Sequence, residues 1–247
     1  MPRARLARAY LQEARSECLR YLRNPGFLLP TLLFPTVFYL MFGVLLARDD
    51  GGHAARYLLA AYATFGVMAP GLFGFGVSLA FERDNGLLTL KRALPMPPLA
   101  YLAGKLVMAL CVAAVVASLL VAIALGVAHV ALSPAQVLRL LATAVPGVLP
   151  FCALGMLVGT WIKGQGAPGV INLIYLPMAF LSGLWFPLDR MPALRGLAPV
   201  WPAWHLDQLA MDAVGLQQGA ALPHVLALAA WTTVCLWIAA RRLRRVG

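Results

Sequence analysis

Charge is what this sequence has least of. Only 12% of its 247 residues are Asp, Glu, Lys or Arg, and nine are acidic, where a soluble domain carries roughly 25% charged residues. With 62% hydrophobic residues and a mean hydropathy of +0.81, the chain has too little polar surface to cover a water-soluble fold. Its longest apolar runs contain no Asp, Glu, Lys or Arg in their interiors. Intramembrane catalysis and ion coupling need such groups, so an enzyme or a proton-coupled carrier is disfavoured. HExxH pairs, GxSxG elbows and apolar-face carboxylate dyads are missing, and so is the GxxxxGK[ST] loop that cradles nucleotide phosphates. Cys18, Cys111, Cys152 and Cys235 have neither metal-ligand spacing nor a secreted disulfide pattern, and read as packing residues. His53, His129, His205 and His224 fall at or beyond the ends of the apolar runs and read as scattered interfacial imidazoles.

Long hydrophobic runs are what the sequence does have. Residues 27–46, 57–81, 106–130, 140–162, 169–187 and 222–240 are each about the length that crosses some 30 Å of hydrocarbon as a helix. They are apolar on every face, unlike the alternating segments of about ten residues in a membrane barrel. The expected fold is an all-α integral membrane protein of six transmembrane helices. The first run begins too late and lacks a small-residue cleavage site, so it is expected to persist rather than act as a signal peptide.

The net charge of +11 suits nucleic acid at first sight, but its distribution is topological. With six spans, 15 of the 20 Lys and Arg residues fall on the side of the termini and five on the other, while the acidic residues divide four against five. By the positive-inside rule both termini and the loop 82–105 are expected in the cytoplasm. The excess then faces anionic lipid rather than nucleic acid.

Three stretches outside the runs carry the information. Residues 1–26 form an amphipathic helix, with Leu6, Tyr10, Leu11, Ala14, Cys18, Tyr21 and Leu22 in one arc and Arg8, Arg15, Arg20 and Arg23 outside it, ended by Asn24-Pro25-Gly26. Either an interfacial anchor or a surface gripped by a cytoplasmic partner fits this pattern. The loop after the second span contains Glu82, Gly86, Leu87, Leu88, Leu90, Lys91, Arg92 and Pro95, a short glycine- and proline-bounded helix whose leucines want a partner surface. After Ser182-Gly183-Leu184-Trp185-Phe186-Pro187 come Pro192, Trp201 and Trp204, where aromatic-belt residues alternate with pieces too short to cross and suggest re-entrant or surface-lying helices.

The order of these features resembles a type-2 ATP-binding-cassette exporter permease, closest to the drug-resistance and nodulation-type branch. The motifs are Arg23-Asn24-Pro25 before span one, Glu82…Gly86…Leu90-Lys91-Arg92…Pro95…Gly104-Lys105 after span two, and Ser182-Gly183…Phe186-Pro187…Pro192 closing span five. Leu87 departs from the threonine that many relatives carry there.

The resemblance implies that residues 1–26 are an interface helix preceding a permease domain of 27–247. It places the ATPase-coupling helix within 82–95 and re-entrant outer helices within 182–212. It further implies a homodimer or a pairing with a sibling permease, two ABC ATPase subunits per complex, and ATP and Mg held by those subunits, with no cofactor on this chain. The expected role is to move a hydrophobic or amphipathic substrate (a drug-like molecule, a lipid or a lipid-linked glycan) across the inner membrane. Rival classes are an ATP-independent secondary carrier, a membrane scaffold and, less favoured, an integral-membrane lipid enzyme.

Overall fold

The computed structural model describes residues 3–46, 52–93 and 97–246. Among these the regular structure is helical. Helix α1 (Arg3–Leu22) is followed by α2 (Pro25–Phe38), which runs on through a π-helical stretch, Tyr39–Leu45. Helix α3 (His53–Ala69), a π-helical stretch Pro70–Val77 and α4 (Ser78–Asp84) make one continuous rod, and α5 (Leu87–Ala93) follows a turn at Gly86. Then come α6 (Pro98–Gly126), α7 (Pro134–Ala144), α8 (Leu149–Gly159) and α9 (Ala167–Leu181). Short α10 (Pro192–Arg195) and α11 (Pro202–Ala213) precede the last rod, α12 (Ala221–Val246).

Among the described residues five stretches are long and apolar enough to cross a bilayer: Pro25–Leu45, His53–Asp84, Leu99–Gly126, Pro134–Gly159 and Ala221–Arg242. The remaining expected span, 169–187, differs. Its helix begins at Ala167 and stops at Leu181, so it is 15 residues and about 22 Å long. The stop is a left-handed Gly183 (φ +82°) closing a Schellman motif, in which Gly183 N–H donates to Phe180 O and Leu184 N–H to Ala179 O. Residues 182–187 therefore leave the helix. The segment still runs the height of the bundle, because Gly164 N–H bonds Asp84 at one end and Gly183 O accepts from Tyr57 at the other. The chain thus passes six times between the ends.

Two other expected boundaries move for local reasons. The fourth pass starts at Pro134 instead of 140, since Ser133 and Gln136 form a reciprocal capping box with Pro134 at the first helical position. Glu82 and Lys105, expected in a loop, lie on the rods themselves.

The second pass is the core of the bundle and is almost wholly buried. Pro70 has no N–H to donate, and the helix widens into the π-helical turn that follows. Gly71 and Gly76 in that turn meet Gly155 and Gly159 of α8 backbone to backbone. A Cβ added to Gly155 would lie 2.6 Å from Gly71 O, and one on Gly159 would lie 2.6 Å from Gly76 O. The obstacle in both cases is main chain, which cannot swing aside as a side chain does.

Gly155→Val is therefore expected to cost about 3 kcal/mol or more, the upper part of the overpacking range. Thermal unfolding of the purified protein in detergent checks this, with Gly219→Ala, where nothing lies within 4 Å of the added Cβ, unchanged.

Candidate functional site

At the end of the bundle that holds α1, four charged side chains meet. Lys105 of α6 is fully buried, and its Nζ donates to Glu82 Oε1 (2.9 Å), Glu17 Oε2 (3.2 Å) and Ser78 Oγ (2.5 Å). Arg20 of α1 donates to Glu17 (2.5 Å) and also pairs with Glu82. Tyr101, one helical turn before Lys105, donates to Glu82 Oε2 (2.5 Å). Two cations face two carboxylates. That balance is required, because each buried ion loses hydration worth several kcal/mol unless it is paired and hydrogen-bonded.

This set joins three elements that the sequence keeps apart. Glu17 and Arg20 come from α1, Ser78 and Glu82 from the end of the second pass, and Tyr101 and Lys105 from the start of the third. Helix α1 can lie this close because Gly104 of α6 has no side chain: an added Cβ would come within 2.9 Å of Glu13. Glu17 thus belongs to the packed face of α1 with Tyr21, while Leu11 and Leu22 of the expected apolar arc point outward. Arg8, Arg15 and Arg23 stay on the exposed surface. Arg20 alone among the four expected interface arginines reaches inward.

Beyond Glu82, Arg83 donates to Gly159 O (3.1 Å) and Ile162 O (2.7 Å), and Asp84 accepts from Gly164 N (2.5 Å). The end of the second pass is therefore clamped to the turn between α8 and α9 as well. Arg242 of α12 reaches the same turn, lying over the Trp161 ring at 4.0 Å. Gly86, at φ +72°, then turns the chain into α5. Leu90 on α5 is 61% exposed, whereas Leu88 is turned partly into the bundle. The side chains of Lys91 and Arg92, and the whole of Pro95, lie outside the described residues.

The opposite end carries a second set of polar groups. Ser182 and Asp207 are buried, and among the described residues neither Ser182 Oγ nor Asp207 Oδ1 has a hydrogen-bond partner. Helix α11 is wedged against α3, α7 and α12, with Leu206 filling the place a side chain on Gly147 would take. Pro187 leads into a 3-10 turn, Phe186 is half exposed, and Pro192 opens α10. His205 and His224, read from the sequence as scattered, meet with their Nδ1 atoms 3.0 Å apart, and Trp204 packs edge-on against both. The partnership joins α11 to α12 across 19 residues, a spacing with no local signature. Burial pushes the His205 imidazole below its usual value. Among the described residues no group of three or more His, Cys, Asp or Glu gathers as a metal site.

A family model described as ABC-2 type transporter matches residues 9–213. The chain belongs to that family. Among similar proteins is one from Bacillus subtilis (strain 168) named "Putative transport permease YvfS", 28% identical over 207 residues that cover 82% of this chain and 84% of that protein. The ABC-2 match takes in α1, the ion cluster, the turn at Gly86 and the outer segment through α11. A multi-pass transporter permease is what sequence, fold and family agree on.

Two measurements follow. Lys105→Met removes the fully buried cation that Glu17 and Glu82 share, leaving them the half-exposed Arg20, and is expected to cost about 3–5 kcal/mol, the usual penalty for removing one partner of a buried pair. Adding Glu17→Gln and Glu82→Gln to that variant is expected to restore much of the loss in a thermal unfolding series. Asp207 behaves in the opposite sense. Burial raises its carboxyl well above the usual range, so it contributes fully when protonated at low pH and loses that contribution as pH rises through the folded-state pKa. Asp207→Asn is expected to unfold at a higher temperature than the parent at pH 8, with the difference vanishing towards pH 4.

Proposed function

We propose that this chain is the permease subunit of an ABC exporter, powered by separate ATPase subunits. It moves a hydrophobic or amphipathic substrate outward across the inner membrane, with both termini in the cytoplasm. The observation that carries this reading is the Lys105–Glu82–Glu17–Arg20 set, which ties the surface helix α1, the end of the second pass and the third pass into one rigid body. Helix α5 follows that body after the turn at Gly86 and presents Leu90 outward. A push on α5 is therefore a push on three rods at once.

Glu82 acts in this scheme as a positioning residue, held by Tyr101, Lys105 and Arg20. Leu90 supplies the apolar contact to an ATPase groove, with Lys91 and Arg92 beside it to meet acidic groups on the rim. ATP-driven closure of two ATPase subunits drives α5 and α1, and two permease copies alternate between inward and outward openings. ATP and Mg stay on the ATPase, and this subunit performs no chemistry. The basic excess on the α1 end supports a cytoplasmic orientation for it. The apolar middles of the spans suit an apolar or amphipathic cargo, and exposed apolar residues on α2 and α9, among them Leu33, Phe34 and Leu173, offer a face for a second permease.

The test is a reconstituted permease and ATPase complex assayed for ATP-driven efflux. Leu90→Asp is expected to leave the unfolding temperature of the permease unchanged, because the side chain is exposed, while efflux and co-purification of the ATPase fall by about tenfold or more, as expected for a central apolar contact. Full efflux by this variant removes α5 from the mechanism. An efflux that needs no ATPase points instead to a secondary carrier.

A further inference from the structure

At the end of the bundle away from α1, a partly open cavity of about 490 Å³ lies between the start of α3, the segment after α9 and α11. That volume is within the range of small-molecule sites. Its wall contains both Asp207 and Ser182, each nine-tenths or more buried and each with an oxygen that lacks a partner. The other charged or titratable side chains among the described residues of the wall are His53, Tyr57, Asp189 and Arg195. Asp189 and Arg195 pair with each other, and among the described residues no ion pair reaches Asp207. Leu188, Met211 and Leu216 give the cavity apolar wall, and Trp204 gives it an aromatic one.

We propose that this cavity binds the ammonium head of an amphipathic organic cation, with the Asp207 carboxylate as counter-ion and Ser182 Oγ as a second acceptor. An isolated buried carboxyl is a standing cost to the fold, and a cation is the ligand that relieves it most. An anion meets repulsion from Asp207. A neutral polyol gains ordinary hydrogen bonds, whereas an ammonium gains charge-assisted bonds, about twice as strong. The apolar wall takes the hydrocarbon part of the ligand. Binding to an empty cavity whose carboxyl holds its proton releases that proton to solvent, so the ligand brings in one positive charge and one leaves. The inference concerns binding by this chain alone and stands apart from ATP-driven export.

The probe is dansylcadaverine, a fluorescent primary amine, titrated into the full chain in phosphatidylcholine nanodiscs, with empty nanodiscs as the baseline. The neutral N-acetyl derivative of the same dye is the control. Saturable binding of the amine above baseline is expected, weakened about tenfold or more by Asp207→Asn and about threefold by Ser182→Ala, in line with losing a charged and a neutral partner respectively. Asp207→Glu, which keeps the charge, is expected to stay within about threefold of the parent, as a lengthened carboxylate retains a charge-assisted bond. The acetylated dye is expected to bind weakly and without regard to residue 207. Binding by Asp207→Asn equal to the parent, equal affinity for the acetylated dye, or no saturable excess over empty nanodiscs each overturns the proposal. Displacement of the dye by maltose but not by butylammonium overturns it too, and marks the cavity as a carbohydrate site.

Discussion

A lysine without contact to water governs how the α1 end of this protein is put together. Lys105 sits on a rod otherwise uncharged, and an ammonium there is tolerable only while carboxylates from two other elements converge on it. Glu17 and Glu82 are those carboxylates, and Arg20 balances the second negative charge. The arrangement fixes the register of α1 against α6 and of the second pass against both. It stabilises the assembled state less through the strength of any one ion pair than through the penalty for every arrangement that leaves an ion alone. A surface helix that would otherwise slide along the membrane is thereby locked to the bundle.

The glycine contacts between the second pass and α8 serve the same end by different physics. Among apolar helices in lipid there is little hydrophobic drive to associate, so close packing of small residues carries the association. Gly71, Gly76, Gly155 and Gly159 let two main chains touch, and that contact sets the rod carrying Glu82 at a fixed distance from the turn that Arg83 and Asp84 grip. Charge and close packing therefore converge on the short stretch from Ser78 to Gly86. Helix α5 follows directly after that stretch, across the turn at Gly86. At the other end the economy is reversed: Asp207 is buried without a counter-ion, and stability is spent on a cavity.

Much of this was readable in advance. The number and approximate position of the passes, the amphipathic N-terminal helix with its stop at Asn24-Pro25, and the glycine-bounded helix after the second pass follow from run length, periodicity and punctuation, which are local properties. Boundaries proved less legible where a cap outweighed hydropathy, as at Ser133, or where a left-handed glycine cut a run short, as at Gly183. Glu82 and Lys105 read as loop charges, and His205 and His224 as scattered imidazoles. Each was misread for the same reason: its partner lies on another helix.

The sequence by itself determined that the chain is a helical membrane protein, because about 20 consecutive apolar residues have one stable solution in a bilayer, in which each segment satisfies its own backbone. It also determined which side of the six passes carries the basic residues. Only the tertiary structure decided which charges are buried together, since the pairing of Lys105 with Glu17 spans 88 residues and that with Glu82 spans 23. Such a pairing depends on where three rods lie side by side, and no periodicity in one rod records its neighbours. The lone Asp207 was hidden for the complementary reason. Its lack of a partner is a property of everything packed around α11, and becomes visible only once the rest of the bundle is in place.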